Sequence, residues 1–235
     1  MKYFLPFLLL LLSLGCTTIN EQNKPTETLA KDAFQLNGEF TKEYTTKVYL
    51  NKIIENSLYV IDSSEVVNNQ FQFNGKVDYP ERFALTFEYY SAIVVLIVEN
   101  IEYHLLINPD EIHNLKIEGS PLNTQLENYK DGAKTIFKQI DYLYPAFQKA
   151  RLENDAEKLK AIQQKMDSIY MQFNAYTYNF IKKNKDSYVS VMLLRDMLKT
   201  DTVDSTKIKN YYNLFPNNLK ESPDGKLIEE FISSF

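Results

Sequence analysis

At Ser120 the apolar residues stop alternating and begin to recur at every third or fourth position. This switch divides the 235-residue chain into a half patterned for sheet and a half patterned for helix. Strand side chains point to alternate faces, whereas a helix brings i, i+3, i+4 and i+7 onto one face. From Ala33 to Glu118 the period is two. Phe34, Leu36 and Phe40 alternate with Gln35, Asn37 and Glu39. Phe71, Phe73 and Val77 alternate with Gln70, Gln72 and Lys76, and Phe83, Leu85 and Phe87 repeat the pattern. Val48, Leu50, Leu58, Val60, Tyr103, Leu105, Ile107, Leu115 and Ile117 complete about eight short strands. The run from Ala92 to Val98 is apolar throughout, which predicts a strand covered on both faces. Turn signals fall at Asn68-Asn69, Asp78 to Glu81, Glu99-Asn100 and Asn108 to Asp110. Strict alternation implies one packed and one wet face, so this half reads as a small antiparallel β-sandwich or barrel.

After the switch, Leu122, Leu126, Tyr129, Ala133, Ile136, Ile140, Leu143 and Phe147 form one helical stripe. Pro145 should kink or end that helix. Asn154 with Glu157 resembles a capping box that opens a second helix. Its stripe runs Leu159, Ile162, Met166, Ile169, Phe173, Tyr176 and Phe180. Two long helices with a short connection pack as an antiparallel hairpin. A coiled coil with a partner helix is the sharper alternative, but the flanking positions carry no charge code. A shorter helix is expected near Ser187 to Leu198, and two small ones near Ser205 to Leu214 and Gly225 to Phe235. The expected fold class is α+β, with a β-sandwich over residues 33–119 followed by an α-helical hairpin or bundle over residues 120–235.

Ahead of both halves stands MKYFLPFLLLLLSLGC, which ends on Cys16, the only cysteine of the chain. Lys2, the apolar run Leu5 to Leu12 and the small Gly15 follow the order of a secretory signal peptide. The run is eight residues, short of the roughly 20 that a spanning helix needs. Leu12 to Cys16 resembles a bacterial lipobox, with Ser13 standing where Leu is usual. That resemblance implies a leader over residues 1–15, removed before Cys16. It also implies a diacylglycerol on the cysteine sulfur and an acyl chain such as palmitate on the new amine. Residues 16–32 are polar and read as a flexible tether. The expectation is a lipid-anchored protein of the bacterial cell envelope, held at the outer membrane and facing the periplasm.

Composition narrows the chemistry. The chain carries 26 basic and 31 acidic residues, which argues against a nucleic-acid partner. With Cys16 assigned to lipid, the folded part has no thiol for a disulfide or for redox work. His104 and His113 have Glu102, Asp110 and Glu111 as their nearest carboxylates in sequence, too few for a metal site, and read as surface or sheet-edge residues. A Ser–His–Asp triad has no G-x-S-x-G to support it. The chain has no P-loop and no G-x-G-x-x-G, and its six glycines leave little for phosphate cradles. Paired acids such as Glu229-Glu230 read as a solvated helix face. No catalytic, cofactor-binding or metal-binding residue is assigned, and Cys16 is the one modification site. Tyr89-Tyr90 in a predicted hairpin turn, Tyr170, and Tyr178 off the helical stripe are candidates for stacking on carbohydrate or peptide. Tyr176, on the stripe, reads as packing. The absence of Trp disfavours a carbohydrate platform.

The segments FQLNGEF (Phe34–Phe40), KVYL (Lys47–Leu50), YVIDSSEV (Tyr59–Val66), QFQFNGKVDYPERFALTF (Gln70–Phe87) and HNLKIEGSPLNTQLENY (His113–Tyr129) together resemble a known family. It is domain of unknown function 4369, which precedes the thioredoxin domain in many lipid-anchored thiol–disulfide oxidoreductases of the Bacteroidota. YNFIKKNKDSYVSVMLL (Tyr178–Leu194) and SPDGKLIEEFI (Ser222–Ile232) resemble the linker helices that lead into that thioredoxin domain. Two turns depart from the family pattern. Asn68-Asn69 replaces a usual Asp-Gly, and Ile101 stands where a Gly is common, so Asn100 would have to take any left-handed position there. A larger departure is the lack of Cys-x-x-Cys in a chain that stops at Phe235, about where the linker would hand over. Redox chemistry needs a thiolate, so the family's activity is not carried onto these residues.

The expected function is a non-catalytic, lipid-anchored binding or interaction module with no cofactor. An alternative is a detached accessory domain that acts with a separately encoded thioredoxin-like protein. A third reading is a hydrolase or sugar-binding protein that uses the sandwich loops.

Overall fold

The computed structural model describes residues 32–55, 57–199 and 203–235. The leader, Cys16 and the tether up to Lys31 lie outside the described residues.

Eight strands form as the alternation predicts: β1 (Phe34–Phe40), β2 (Lys47–Ile54), β3 (Ser57–Glu65), β4 (Gln70–Gly75), β5 (Glu81–Phe87), β6 (Ile93–Val98), β7 (Glu102–Ile107) and β8 (Lys116–Glu118). They make two four-stranded sheets, ordered β4-β1-β7-β8 and β3-β2-β5-β6. Every pairing is antiparallel except β1 with β7, which run parallel and so need the long return through the second sheet. The inward-facing residues make one sandwich core. Leu36, Phe73, Tyr103 and Ile107 of the first sheet meet Val48, Leu50, Leu85 and Leu96 of the second.

Within the β1–β4 pair, two glycines lie directly across from phenylalanines, Gly75 from Phe34 and Gly38 from Phe71. The Phe71 ring occupies the space where a Gly38 side chain would begin, so a large ring and a bare backbone together fill one layer. Asn68 and Asn69, at φ 53° and 63°, make the two-residue turn from β3 to β4. Tyr89, at φ 66°, makes the turn before β6.

Two expectations for this half need correction. Val95 and Ile93 on β6 are 37% and 50% exposed, and only Ile97 is fully covered on the outer face, because the helices reach one end of the strand. Asn100 takes no left-handed conformation. Its side-chain amide accepts from the Val77 N–H at 3.0 Å and donates to the Val77 carbonyl at 2.7 Å, acting as a short piece of strand.

The helical half begins where Ser120 caps α1 (Pro121–Leu152). It continues through α2 (Ala156–Lys183), α3 (Tyr188–Asp196), α4 (Ser205–Tyr212), the four-residue α5 (Asn217–Lys220), which has no counterpart in the periodicity, and α6 (Pro223–Ser233). Pro145 does not end α1. It lies on the solvent side, where water can satisfy the carbonyl that a proline leaves without a donor. The second helix starts one residue later than a capping box at Asn154 would place it. Asp155 is its cap and accepts from the Lys158 N–H at 3.0 Å. Asn154 sits at φ 52°, closing α1 in the left-handed conformation that asparagine tolerates.

The hairpin is locked near its base. Tyr129 stacks on Tyr176 with ring centroids 5.4 Å apart, and the Tyr176 hydroxyl donates to the Tyr129 carbonyl. The Thr177 hydroxyl donates to the Phe173 carbonyl, so it accepts from the Tyr129 hydroxyl at 2.7 Å. Burial pushes the Tyr129 phenol up to about 12.

Tyr178 is buried, contrary to its position off the stripe. Its ring packs on Tyr211, and the Lys207 ammonium lies 4.0 Å from the ring centroid, because α4 covers a second face of α2. Ile181, Val189, Leu194, Ile208, Leu219 and Ile228 form a second core, and Ile97 of β6 belongs to it. No helix among the described residues is long and apolar enough to cross a membrane.

Candidate functional site

The outer face of the β3-β2-β5-β6 sheet meets the helices along one seam. At its first point Asn123, in the first turn of α1, is buried against the edge of β6. Its side chain accepts from the Ile97 N–H at 2.8 Å and donates to the Ile97 carbonyl at 2.7 Å. One amide thus completes the two hydrogen bonds that a neighbouring strand would make. The Ser120 hydroxyl holds Asn123 in place and itself donates to Glu99 at 2.7 Å.

At the second point, Arg82 projects from β5 towards the end of α3. Its guanidinium makes two hydrogen bonds to Asp196, at 2.6 and 3.1 Å. Asp224, in the first turn of α6, lies 3.7 Å from Arg82 and 3.6 Å from Arg195, and Arg195 lies 3.6 Å from Asp196. The four groups alternate in sign around a ring, so each charge has two opposite neighbours. Burial pushes the Asp224 carboxyl above its usual range, against the pull of Arg82 and Arg195. For Arg82, burial is the largest single influence and disfavours the charge, but the bond to Asp196 together with the charges of Asp196 and Asp224 outweighs it, so the guanidinium is held protonated above its usual range. Two of the three arginines in the chain meet here. The ring is only partly shielded, so removing one member costs about 1–3 kcal/mol, between the surface and the buried limits.

Beside the ring opens a cleft of about 520 Å³. Ile53, Ile54 and Val95 of the sheet form one wall, and Tyr188, Met192 and Leu227 of α3 and α6 form the other. The Lys52–Glu81 ion pair, 3.0 Å, closes one side. Apolar walls with a few fixed charges, at the junction of two structural units, are the usual setting of a ligand site.

Residues singled out in the sequence lie elsewhere. His104 is exposed on the outer face of the other sheet, 3.5 Å from Glu102. His113 does not open a strand; it lies in a 3-10 turn, Pro109–Asn114, because Pro109 and the Asn108 cap set helical turns there. Among the described residues no three His, Cys, Asp or Glu side chains are placed to hold a metal ion. Tyr89 and Tyr90 are exposed at their turn and Tyr170 on α2, each away from the cleft. Around His104 the first sheet shows a polar face on which amides bond one another: Gln72 donates to Asn37 at 2.7 Å, and Asn37 to Glu102 at 3.1 Å.

The cleft itself was not legible in the sequence. Arg82 and Asp196 are 114 positions apart, and no local pattern joins them. The one signal was scarcity: a chain rich in Lys keeps three arginines, and a bidentate carboxylate contact is the role that Lys cannot fill.

Residues 34–126 match the family model described as domain of unknown function, DUF4369. The DUF4369 region takes in all eight strands and ends just past Asn123. Arg82 and the sheet wall of the cleft fall within the DUF4369 region, while Asp196, Arg195 and Asp224 fall outside it. No curated protein matches the chain.

Proposed function

We propose that this chain is a non-catalytic, lipid-anchored protein of the bacterial cell envelope, working as a binding or interaction module. The observation that carries this reading is the cleft between sheet and helices. Its apolar walls supply contact area and its ring of fixed charges supplies orientation. The same ring supports recognition over chemistry. The two carboxylates are held by guanidiniums, and the serine among the cleft residues, Ser222, donates its hydroxyl to the Leu219 carbonyl at 2.6 Å.

The test is a thermal-shift screen of the purified mature protein against peptides and glycans. A ligand at 100 times its Kd adds about 2.7 kcal/mol of stability. The expected hit weakens at least tenfold in Met192→Ala. Silence across both libraries, or a hit indifferent to Met192, would sink the cleft as the site. Turnover of a substrate at enzyme-like rates would end the non-catalytic reading.

A second reading, an accessory domain for a separately encoded thioredoxin-like protein, is favoured by the DUF4369 match together with the linker-like segments Tyr178–Leu194 and Ser222–Ile232. It expects a W-C-x-x-C reading frame directly downstream and co-purification of its product. Failure to find either removes it.

A further inference from the structure

In an antiparallel sheet, successive residues of an edge strand turn their N–H and C=O groups alternately towards the neighbouring strand and away from it. Ile97 fixes that alternation for β6. Both of its backbone groups bond the Asn123 amide, so both face away from β5. The pairing of β5 with β6 runs without a register shift, so Val95 and Ile93 turn their groups to the same open side. β6 is the last strand of its sheet. Among the described residues none bonds the N–H or C=O of Val95 or Ile93, and both residues are partly exposed.

Asn123 therefore fills only one of three successive positions along this edge. The next one lies in the cleft, since Val95 belongs to its sheet wall and Tyr188 and Met192 stand across from it. The open positions call for a donor and an acceptor that recur about every 6.6 Å, two extended residues at about 3.3 Å each. An extended backbone supplies that repeat.

We propose, on the reading that the cleft is the binding site, that it takes an extended peptide segment of a partner protein, which adds beside β6 at Val95 and Ile93 and continues the strand position that Asn123 begins. Main-chain hydrogen bonds hold the segment, and every second side chain falls on the cleft side. Those side chains are apolar, because Tyr188 and Met192 form the facing wall. Sugar rings and acyl chains lack the recurring pair of amide N–H and C=O. A second copy of β6 fits less well. In an antiparallel pair centred on Val94, its Ser91 would need the place beside Ile97 that Asn123 already occupies.

The test is amide hydrogen exchange, followed by NMR on the purified mature protein, with capped pentapeptides built from Val, Ile, Leu, Tyr and Thr. A peptide that binds should slow exchange at Val95 and Ile93 at least tenfold. Val94 and Leu96, whose groups face β5, should not change. Val95→Pro removes an N–H that β5 does not use, so it should keep its circular dichroism and weaken the peptide at least tenfold. If that variant does not fold, the exchange pattern of the wild-type protein decides. A peptide that weakens in Met192→Ala but leaves Val95 and Ile93 exchanging freely would overturn strand addition and leave the cleft as the site. Binding of glycans with silence across the peptides would overturn the peptide as occupant, and silence across both would sink the cleft as well. Slow exchange at Val95 and Ile93 without peptide would also overturn the proposal. If it grew with protein concentration, a second copy would be the occupant; if it did not, the chain would be covering its own edge.

Discussion

Two glycines make sharp predictions because neighbouring atoms already occupy the space where their Cβ would go. A Cβ on Gly225 would lie 2.3 Å from the Leu219 carbonyl oxygen and 2.5 Å from that of Lys220, both backbone atoms that cannot swing aside. Gly225→Ala should therefore cost about 1–3 kcal/mol, although alanine is the better helix former. Gly132→Ala would displace the Tyr176 hydroxyl, 2.1 Å from the new carbon, and break its bond to the Tyr129 carbonyl. Its expected cost is also about 1–3 kcal/mol. Urea unfolding midpoints check both. Asp224 makes a prediction in pH. Its folded carboxyl titrates above the unfolded value of 3.8, so in that window the folded state holds more proton than the unfolded one. Stability contributed by this group is thus full below 3.8 and falls as pH rises through the folded value. Unfolding free energies measured across that range should show wild type losing ground to Asp224→Asn as pH increases. A gain instead would mean that Arg82 and Arg195 dominate the carboxyl. Residue-scale features of this kind were the least legible in the sequence. Asn154 had the composition of a cap, but only the observed backbone shows that it closes one helix while Asp155 opens the next.

At the scale of elements the sequence was far more informative. Eight strands and both long helices follow from periodicities of two and of three to four, because a half-buried surface forces that spacing wherever it occurs. What periodicity cannot carry is how much of an element its neighbours cover. Ala92 to Val98 reads as buried on both faces, yet only the Ile97 end meets the helices. Tyr178 reads as exposed, yet α4 lies over it. Both errors concern cover supplied, or not supplied, by an element distant in sequence, and such contacts leave no local trace. The Asn123 contact belongs to this scale, since it joins a helix start to a strand edge. Asn123→Ala should leave both Ile97 backbone groups buried and unpaired, at about 1–3 kcal/mol each. Asn123→Asp should be no better, because a carboxylate keeps the acceptor but turns a second oxygen on the Ile97 carbonyl. Unfolding in urea gives both costs, and an Asp variant as stable as wild type would contradict the assigned amide orientation.

At the scale of the molecule, the proposed lipid anchor and the folded body make separable predictions. Cys16→Ala should release the protein from membrane fractions or block maturation, while its circular dichroism and melting temperature stay those of the unlipidated wild-type chain. Unchanged partition would remove the anchor. The body should behave differently, because its halves share a residue. The Ile97 side chain lies in the helical core while its backbone belongs to the sheet, and its N–H is held by a helix side chain, not by another strand. That single amide proton is a natural clock for separation of the two halves. If the helices can lift away from an intact sheet, Ile97 will exchange with solvent faster than Leu85 in the strand next to it. Equal rates would mean that sheet and helices open only together, as one cooperative unit.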